Sequence, residues 1–197
     1  MSITDPQFRF DEETHTYFIN DRPAVSVTQV MSEILGQPYR ANEFFMQRGR
    51  VVHKYAEMIG KGQAFAEPDE RVAGQVEACR KFYAEVSLCT VLIEQKFYSV
   101  RYQFAGTSDL IAMMDGGEKV LIDWKATLTK QTEVQLGGYG ILSGVKKGAG
   151  VQLNEDGTYK MSPIYTLKRP GQEFLSLLSA YNTKARLGML SKDEDES

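Results

Sequence analysis

The sequence contains few of the residues that crosslink small domains or bind metal clusters. Its 197 residues include two cysteines, one tryptophan and six prolines. Cys79 and Cys89 alone cannot form a four-thiolate site, so we expect no iron–sulfur cluster. They are predicted to be reduced thiols of a cytoplasmic protein. No stretch approaches the ~20 apolar residues that a membrane-spanning helix needs, and MSITDPQFRF lacks a signal pattern. We therefore expect no membrane partner.

An excess of positive charge is also absent. Lysine and arginine number 23 against 26 aspartates and glutamates, which gives a formal charge of −3. Residues 191–197, which we predict to be a disordered acidic tail, account for this imbalance. The remaining chain is nearly neutral, which excludes a polycation that coats nucleic acid. Local binding stays open if one cleft concentrates positive charge, bound metal included.

The composition that is present is typical of one soluble globular domain. The chain is 42% hydrophobic and 25% charged, and its length suits a single domain over residues 1–190. Alternating aromatic and polar residues near the N-terminus predict a β-hairpin, and helical and strand periodicities follow it, which predicts a mixed α/β (α+β) domain. The expected helices span 30–35, 42–59, 70–86, 132–142 and 171–187, with three strands over 90–125 and a turn between short strands at 154–157.

The stretch FAGTSDLIAMMDGGEKVLIDWKAT, residues 104–127, is the most informative. Its DGG segment predicts a hairpin turn centred on Gly116. In that register Asp109 lies opposite Asp123, and Lys125 shares their face because strand side chains alternate. The other face is wholly apolar and is predicted to pack against helices. Its members are Leu110, Ala112, Met114, Val120, Ile122 and Trp124.

Two opposed aspartates repel each other, and partial burial raises the cost. Lys125 supplies only one positive charge for two carboxylates, so a divalent ion is expected to supply the rest. Carboxylates suit Mg²⁺ or Mn²⁺. Spacing alone also allows two solvated aspartates with Lys125 as a surface ion-pair partner, and a one-residue slip in register would separate them.

Four motifs occur in an order that resembles the PD-(D/E)XK nuclease superfamily. They are RGRVVH (48–53), GTSD (106–109), IDWK (122–125) and QLGGY (135–139). The chain is most similar to the RecB-like exonuclease branch, which includes CRISPR-associated adaptation nucleases and the mitochondrial genome-maintenance exonuclease. That branch combines a GxxD strand, a DxK strand, a QxxxY helix and an upstream histidine. HTYFIND and SVTQVM are similar to the N-terminal region of small phage-type members.

The resemblance implies a restriction-endonuclease-like core, with a central mixed β-sheet flanked by helices. It implies that Asp109, Asp123 and the backbone carbonyl of Trp124 hold the metal, and that Lys125 orients the attacking water. Further implied roles are His53 as a metal ligand or phosphate contact, Glu94 as an extra ligand, and Arg48, Gln135 and Tyr139 as DNA contacts. Gln135 and Tyr139 could instead brace the DxK strand. Structural alternatives also stay open: a core histidine, a solvated glutamate, a surface arginine, and a surface glutamine with a core tyrosine.

The activity implied is that of a metal-dependent DNA exonuclease acting on linear DNA with free ends. Small size and the phage-type N-terminus suggest recombination, replication or DNA processing in a bacterial or phage-infected cell, with a recombination or replication protein as a partner. No helicase motif is present, which predicts a stand-alone nuclease. A structure-selective endonuclease and a catalytically silent DNA-binding or assembly module are the alternatives.

Overall fold

A computed structural model describes residues 7–36, 43–114 and 116–191, with side chains from residue 46 onward in the second range. Several sequence expectations lie outside these residues. They concern Asp115 in the hairpin turn, Asn42 as a helix start, the side chain of Phe45 and the acidic tail from Lys192.

An antiparallel ribbon opens the chain, as the aromatic alternation predicts. It consists of β1 (Phe8–Asp11), β2 (Thr16–Ile19) and β3 (Arg22–Ser26). Asn20 and Asp21 have φ angles of 50° and 59°, a left-handed conformation that asparagine and aspartate tolerate better than most residues. The turn between β2 and β3 therefore follows from local sequence.

The helices occur where the apolar periodicity predicts them, with shifted ends. α1 starts at Val27, earlier than expected, because Ser26 caps it: the Ser26 side chain accepts from the Gln29 N–H at 3.1 Å. The Gln29 side chain in turn accepts from the Ser26 N–H at 2.8 Å, which completes a capping box. The helices are α1 (Val27–Leu35), α2 (Glu43–Gly60), α3 (Glu70–Glu85), α4 (Lys130–Ser143) and α5 (Lys168–Arg186).

The strands form one mixed sheet around β5. The remaining strands are β4 (Leu88–Ser99), β5 (Phe104–Met114), β6 (Lys119–Lys125), β7 (Lys147–Leu153), β8 (Tyr159–Met161) and β9 (Tyr165–Thr166). β4 pairs along one edge of β5. The other edge is shared: β3 pairs with residues 104–105, and β6 with residues 110–113. Residues 106–109 therefore lie where β3 and β6 diverge.

The β5–β6 hairpin has the register that the sequence predicts. Leu110 lies opposite Ile122, and Ala112 lies opposite Val120. This register is centred on Gly116, and its continuation brings Asp109 to the level of Asp123. The predicted apolar face is also confirmed, because its residues belong to a buried cluster beneath α2 and α3, with Met114 partly buried at its margin.

Helices cover both faces of the sheet. On one face Trp124 packs edge-on against Phe82 of α3, with ring centroids 5.1 Å apart. On the other face Leu121 and Phe104 pack with Leu136 of α4 and Phe174 of α5. β6 and β7 are parallel and α4 connects them, the usual crossover arrangement. Within the described ranges, no helix combines the length and apolar character needed to cross a membrane.

Candidate active site

A cleft of about 580 Å³ opens where β3 and β6 diverge from β5. Its walls come from the N-terminal ribbon, α2, β4, β5, β6 and α4. Most of the side chains proposed from the sequence line this one cleft. They are His53, Glu94, Asp109, Asp123, Lys125, Gln135 and Tyr139.

Asp109 is buried, and each of its two carboxylate oxygens has a partner. One carboxylate oxygen accepts from the backbone N–H of Trp124 at 2.8 Å, and the other lies 3.2 Å from Nδ1 of His53. Burial opposes ionisation of Asp109, but the positive charge and hydrogen bond of His53 outweigh it and lower the pKa. The N–H and C=O of one strand residue point toward the same edge. The carbonyl of Trp124 therefore faces the gap between β5 and β6.

Asp123 is also buried, but one of its carboxylate oxygens lacks a well-formed hydrogen bond. Nζ of Lys125 lies 2.6 Å from its Oδ2, yet that oxygen has no hydrogen bond of acceptable geometry within the described chain. Burial raises the pKa of Asp123; Lys125 offsets part of the rise and Asp109 adds to it. A buried, ion-paired oxygen without a hydrogen bond is costly to the fold. It is also the kind of atom that a bound cation would satisfy.

His53 and Glu94 complete the group around Asp109. One ligand atom from each of the three residues lies within 4.8 Å of the others. Burial disfavours a charged imidazole, but Asp109 raises the pKa of His53 to about 9. Burial, followed by Asp109, raises the pKa of Glu94 to about 7. Two carboxylates and an imidazole suit a divalent cation; Asp123 lines the same cleft but lies outside this three-residue group.

Glu94 also has unusual backbone geometry. Its φ is 48°, inside β4 rather than in a turn. Left-handed residues of this kind cost roughly 1–3 kcal/mol and are concentrated at functional sites. The conformation lies beside Asp109, which supports a functional interpretation of the Glu94 carboxylate.

Gln135 and Tyr139 lie on the cleft-facing side of α4. Nε2 of Gln135 donates to the hydroxyl of Tyr139 at 3.4 Å. Tyr139 is buried, and its ring packs so closely on Gly106 that a Cβ there would lie 2.9 Å from Tyr139 Cε1. The glycine of the GTSD segment thus allows α4 to approach β5. Through this contact Tyr139 braces β5, whereas the alternative that the sequence left open was bracing of the DxK strand, β6.

Arg48 does not line the cleft. Its guanidinium lies 2.6 Å from the carboxylate of Glu155, in the turn after β7. Arg50, two residues later, lines the cleft instead. Positions two apart on a helix face in nearly opposite directions. Of the two arginines in this motif, Arg50 is thus the one that lines the cleft.

Sequence reasoning also assigned no role to several residues that line the cleft. They are Phe10, His15, Tyr17, Lys96 and Thr107. Thr107 could have been found, because it lies inside the GTSD segment. The others come from the N-terminal ribbon and from β4, whose pairing with β5 no local pattern specifies.

Comparison with known proteins gives a match at the level of fold. No family model and no curated protein matches the chain. The chain is similar to the crystal structure of LHK-Exo in complex with dAMP, at 12% identity, over 84% of this chain and 89% of that one, with a TM-score of 0.50. A structure of the alkaline exonuclease LHK-Exo from Laribacter hongkongensis aligns over the same shares at 13% identity and a TM-score of 0.48. The chain therefore has a mixed α/β fold like that of LHK-Exo.

Proposed function

We propose that this protein is a RecB-like, divalent-metal-dependent deoxyribonuclease that hydrolyses phosphodiester bonds from free ends of linear DNA. The supporting observation is the convergence of Asp109, Asp123 and Lys125 from two paired strands on one cleft, beside His53 and Glu94. The four sequence motifs lie on α2, β5, β6 and α4, and residues of all four elements line this cleft. The fold likeness to an alkaline exonuclease is consistent with this activity.

The residues that would hold Mg²⁺ or Mn²⁺ are Asp109 and Asp123, with the Trp124 carbonyl, Glu94 and His53 around them. Such an ion lowers the pKa of a bound water and stabilises charge on the scissile phosphate. The protein prepares the position by keeping Asp109 oriented through the Trp124 N–H. Burial of both aspartates gives a low-polarity setting, in which interactions between charges are strong.

Lys125 has a separate role in this proposal. Its ammonium group lies against Asp123 and its side chain is 22% exposed, so it can reach both the carboxylate and a phosphate in the cleft. From there Lys125 would donate a hydrogen bond to the attacking water and stabilise negative charge that develops on the phosphate. Preorganised donors of this kind commonly contribute the largest electrostatic share of catalysis.

The activity can be tested on end-labelled linear DNA, single- and double-stranded, next to covalently closed circular DNA. We expect the linear DNA to be degraded with Mg²⁺ or Mn²⁺, no reaction with chelator, and intact circles. Cleavage of closed circles would favour the structure-selective endonuclease. Binding without cleavage under every metal condition would favour the catalytically silent module.

Metal binding should also raise thermal stability. A ligand that binds only the native state at about 100 times its Kd adds about 2.7 kcal/mol, which corresponds to a rise of about 5–10 °C in Tm for a chain of this length. Differential scanning fluorimetry with and without Mg²⁺ or Mn²⁺ measures this shift. Asp123→Asn should reduce it strongly. Glu118→Gln, which neutralises an exposed carboxylate paired with Lys147, should retain it. A wild-type Tm that does not respond to metal would contradict the site.

A further inference from the structure

The N-terminal ribbon brings aromatic rings to the same cleft as the acidic residues. Phe10, His15 and Tyr17 all line it. The ring centroids of Phe10 and His15 are 5.0 Å apart at 85°, and those of Phe10 and Tyr17 are 4.7 Å apart at 43°. His15 is exposed, so its ring is open to a ligand at the edge of the cleft. None of these rings is used in the proposed hydrolysis.

The ribbon holds these rings in fixed positions. The hydroxyls of Tyr17 and Thr107 share a hydrogen bond of 2.7 Å, which ties the ribbon to β5 two residues before Asp109. Phe8 stacks on Tyr98 of β4, with ring centroids 4.6 Å apart and planes 5° from parallel. His15 has a φ of 52°, a left-handed conformation held by the turn between β1 and β2. The aromatic group is thus preorganised relative to Asp109.

Two cations lie beside the rings. Nζ of Lys96 is 4.7 Å from the centroid of the Phe10 ring. His15, Arg50 and Lys96 line the same cleft; partial burial lowers the pKa of His15, and the positive charges of Arg50 and Lys96 lower it further. Throughout the described chain, neither Arg50 nor Lys96 forms an ion pair with a carboxylate. Their charges are available to an anionic ligand.

We propose that the exposed ring of His15, supported by the Phe10 ring that lies perpendicular to it, forms a stacking platform for an unpaired nucleobase, with Arg50 and Lys96 contacting the adjoining phosphate. The inference rests on the proposed function and specifies its substrate as DNA with a single-stranded end. Aromatic faces bind bases that have left the duplex stack, because in a duplex each base face is covered by its neighbours. Cations next to the rings match the phosphate that accompanies every base.

Binding measurements in chelator test the platform without cleavage. Fluorescence anisotropy would compare a short oligothymidylate, an abasic oligonucleotide of equal length and a blunt duplex. His15→Asn removes the stacking ring, but asparagine tolerates the left-handed backbone; Phe10→Leu removes the aromatic support of His15 and keeps the site apolar. His15→Asn should bind oligothymidylate about ten-fold more weakly, and Phe10→Leu should show a smaller loss. Binding to the abasic oligonucleotide and the duplex should be unchanged.

Phe18→Leu is the matched control, since Phe18 lies on the same ribbon, beneath Arg9, and outside the cleft lining. It should bind all three ligands as the wild type does, whereas Arg50→Gln should weaken binding to all of them. Equal losses on abasic DNA and oligothymidylate, or no loss in either platform variant, would overturn the inference. A protein that shows the base-dependent loss but never cleaves DNA would refute the proposed function and leave the platform standing.

Discussion

Asp123→Asn is expected to remove DNA cleavage while leaving the metal-free protein at least as stable as the wild type. Asparagine matches aspartate in shape but cannot supply the negative charge that a divalent ion requires. Loss of one preorganised electrostatic group commonly costs about 10²–10³ in rate, and we expect at least that loss here. Asparagine loses the ion pair with Lys125, but stability should not fall, because burial and Asp109 raise the pKa of Asp123 despite Lys125, so the surroundings on balance disfavour the charge that the substitution removes.

Asp109→Asn provides the contrast that makes this prediction specific. It should also remove cleavage, but it breaks the ion pair with His53 and alters the contact with the Trp124 N–H. The His53 side chain is 37% exposed, so water compensates part of the loss. We expect a cost of about 1–3 kcal/mol, below the 3–5 kcal/mol typical when a fully buried pair loses one partner.

Chemical denaturation in chelator measures both stabilities, and release of label from linear DNA measures both activities. Glu118→Gln serves as the control for loss of an exposed carboxylate on the same hairpin, and it should match the wild type in both assays. If Asp123→Asn destabilised the metal-free protein as much as Asp109→Asn, the two aspartates would not differ in the way that their contacts indicate. Retained cleavage in Asp123→Asn would remove it from the metal site.

The part of the site that sequence could predict depends on short-range geometry. A two-glycine turn fixes the β5–β6 register, and strand alternation then assigns Asp109, Asp123 and Lys125 to a common region. The apolar partners on the opposite face reinforce that register, because a one-residue slip of one strand would turn its apolar side chains to the face that carries the aspartates. Helix positions follow from apolar periodicity in the same local way. Their ends shift where a cap decides the start, as Ser26 does for α1.

The part that sequence missed depends on contacts between distant segments. β3 pairs in parallel with the start of β5, and this pairing brings His15 and Phe10 to the cleft from far away in sequence. Whether Arg48 or Arg50 faces the cleft depends on which side of α2 lies against the sheet. The ion pair between Arg48 and Glu155 shows this orientation, but it joins segments that are far apart in sequence. The left-handed backbone of Glu94 likewise has no sequence signature, since glutamate rarely adopts it.

Gly137→Ala is expected to destabilise the fold strongly. An added Cβ would lie 2.3 Å from the carbonyl carbon of Pro170 and 2.5 Å from the backbone nitrogen of Gly171. Both atoms are main chain at the start of α5, so no side chain can rotate away to make room. Relief requires that α4 and α5 move apart. Overpacking of a core typically costs 1–3 kcal/mol, and we expect about 3 kcal/mol here, because two backbone segments must separate.

Gly49→Ala is the matched control, because it makes the same substitution in a helix where, among the described residues and apart from the adjoining residues and backbone of α2 itself, no heavy atom lies within 4 Å of the new Cβ. Alanine in that position should stabilise α2 by about 1 kcal/mol. Thermal denaturation should therefore shift in opposite directions for the two variants, by roughly 2–4 °C per kcal/mol. Since α4 carries Gln135 and Tyr139 to the cleft, Gly137→Ala should also reduce cleavage at temperatures where it remains folded. An unchanged Tm for Gly137→Ala would mean that α4 and α5 are not in close contact, and the position of Tyr139 against Gly106 would then lose its structural support.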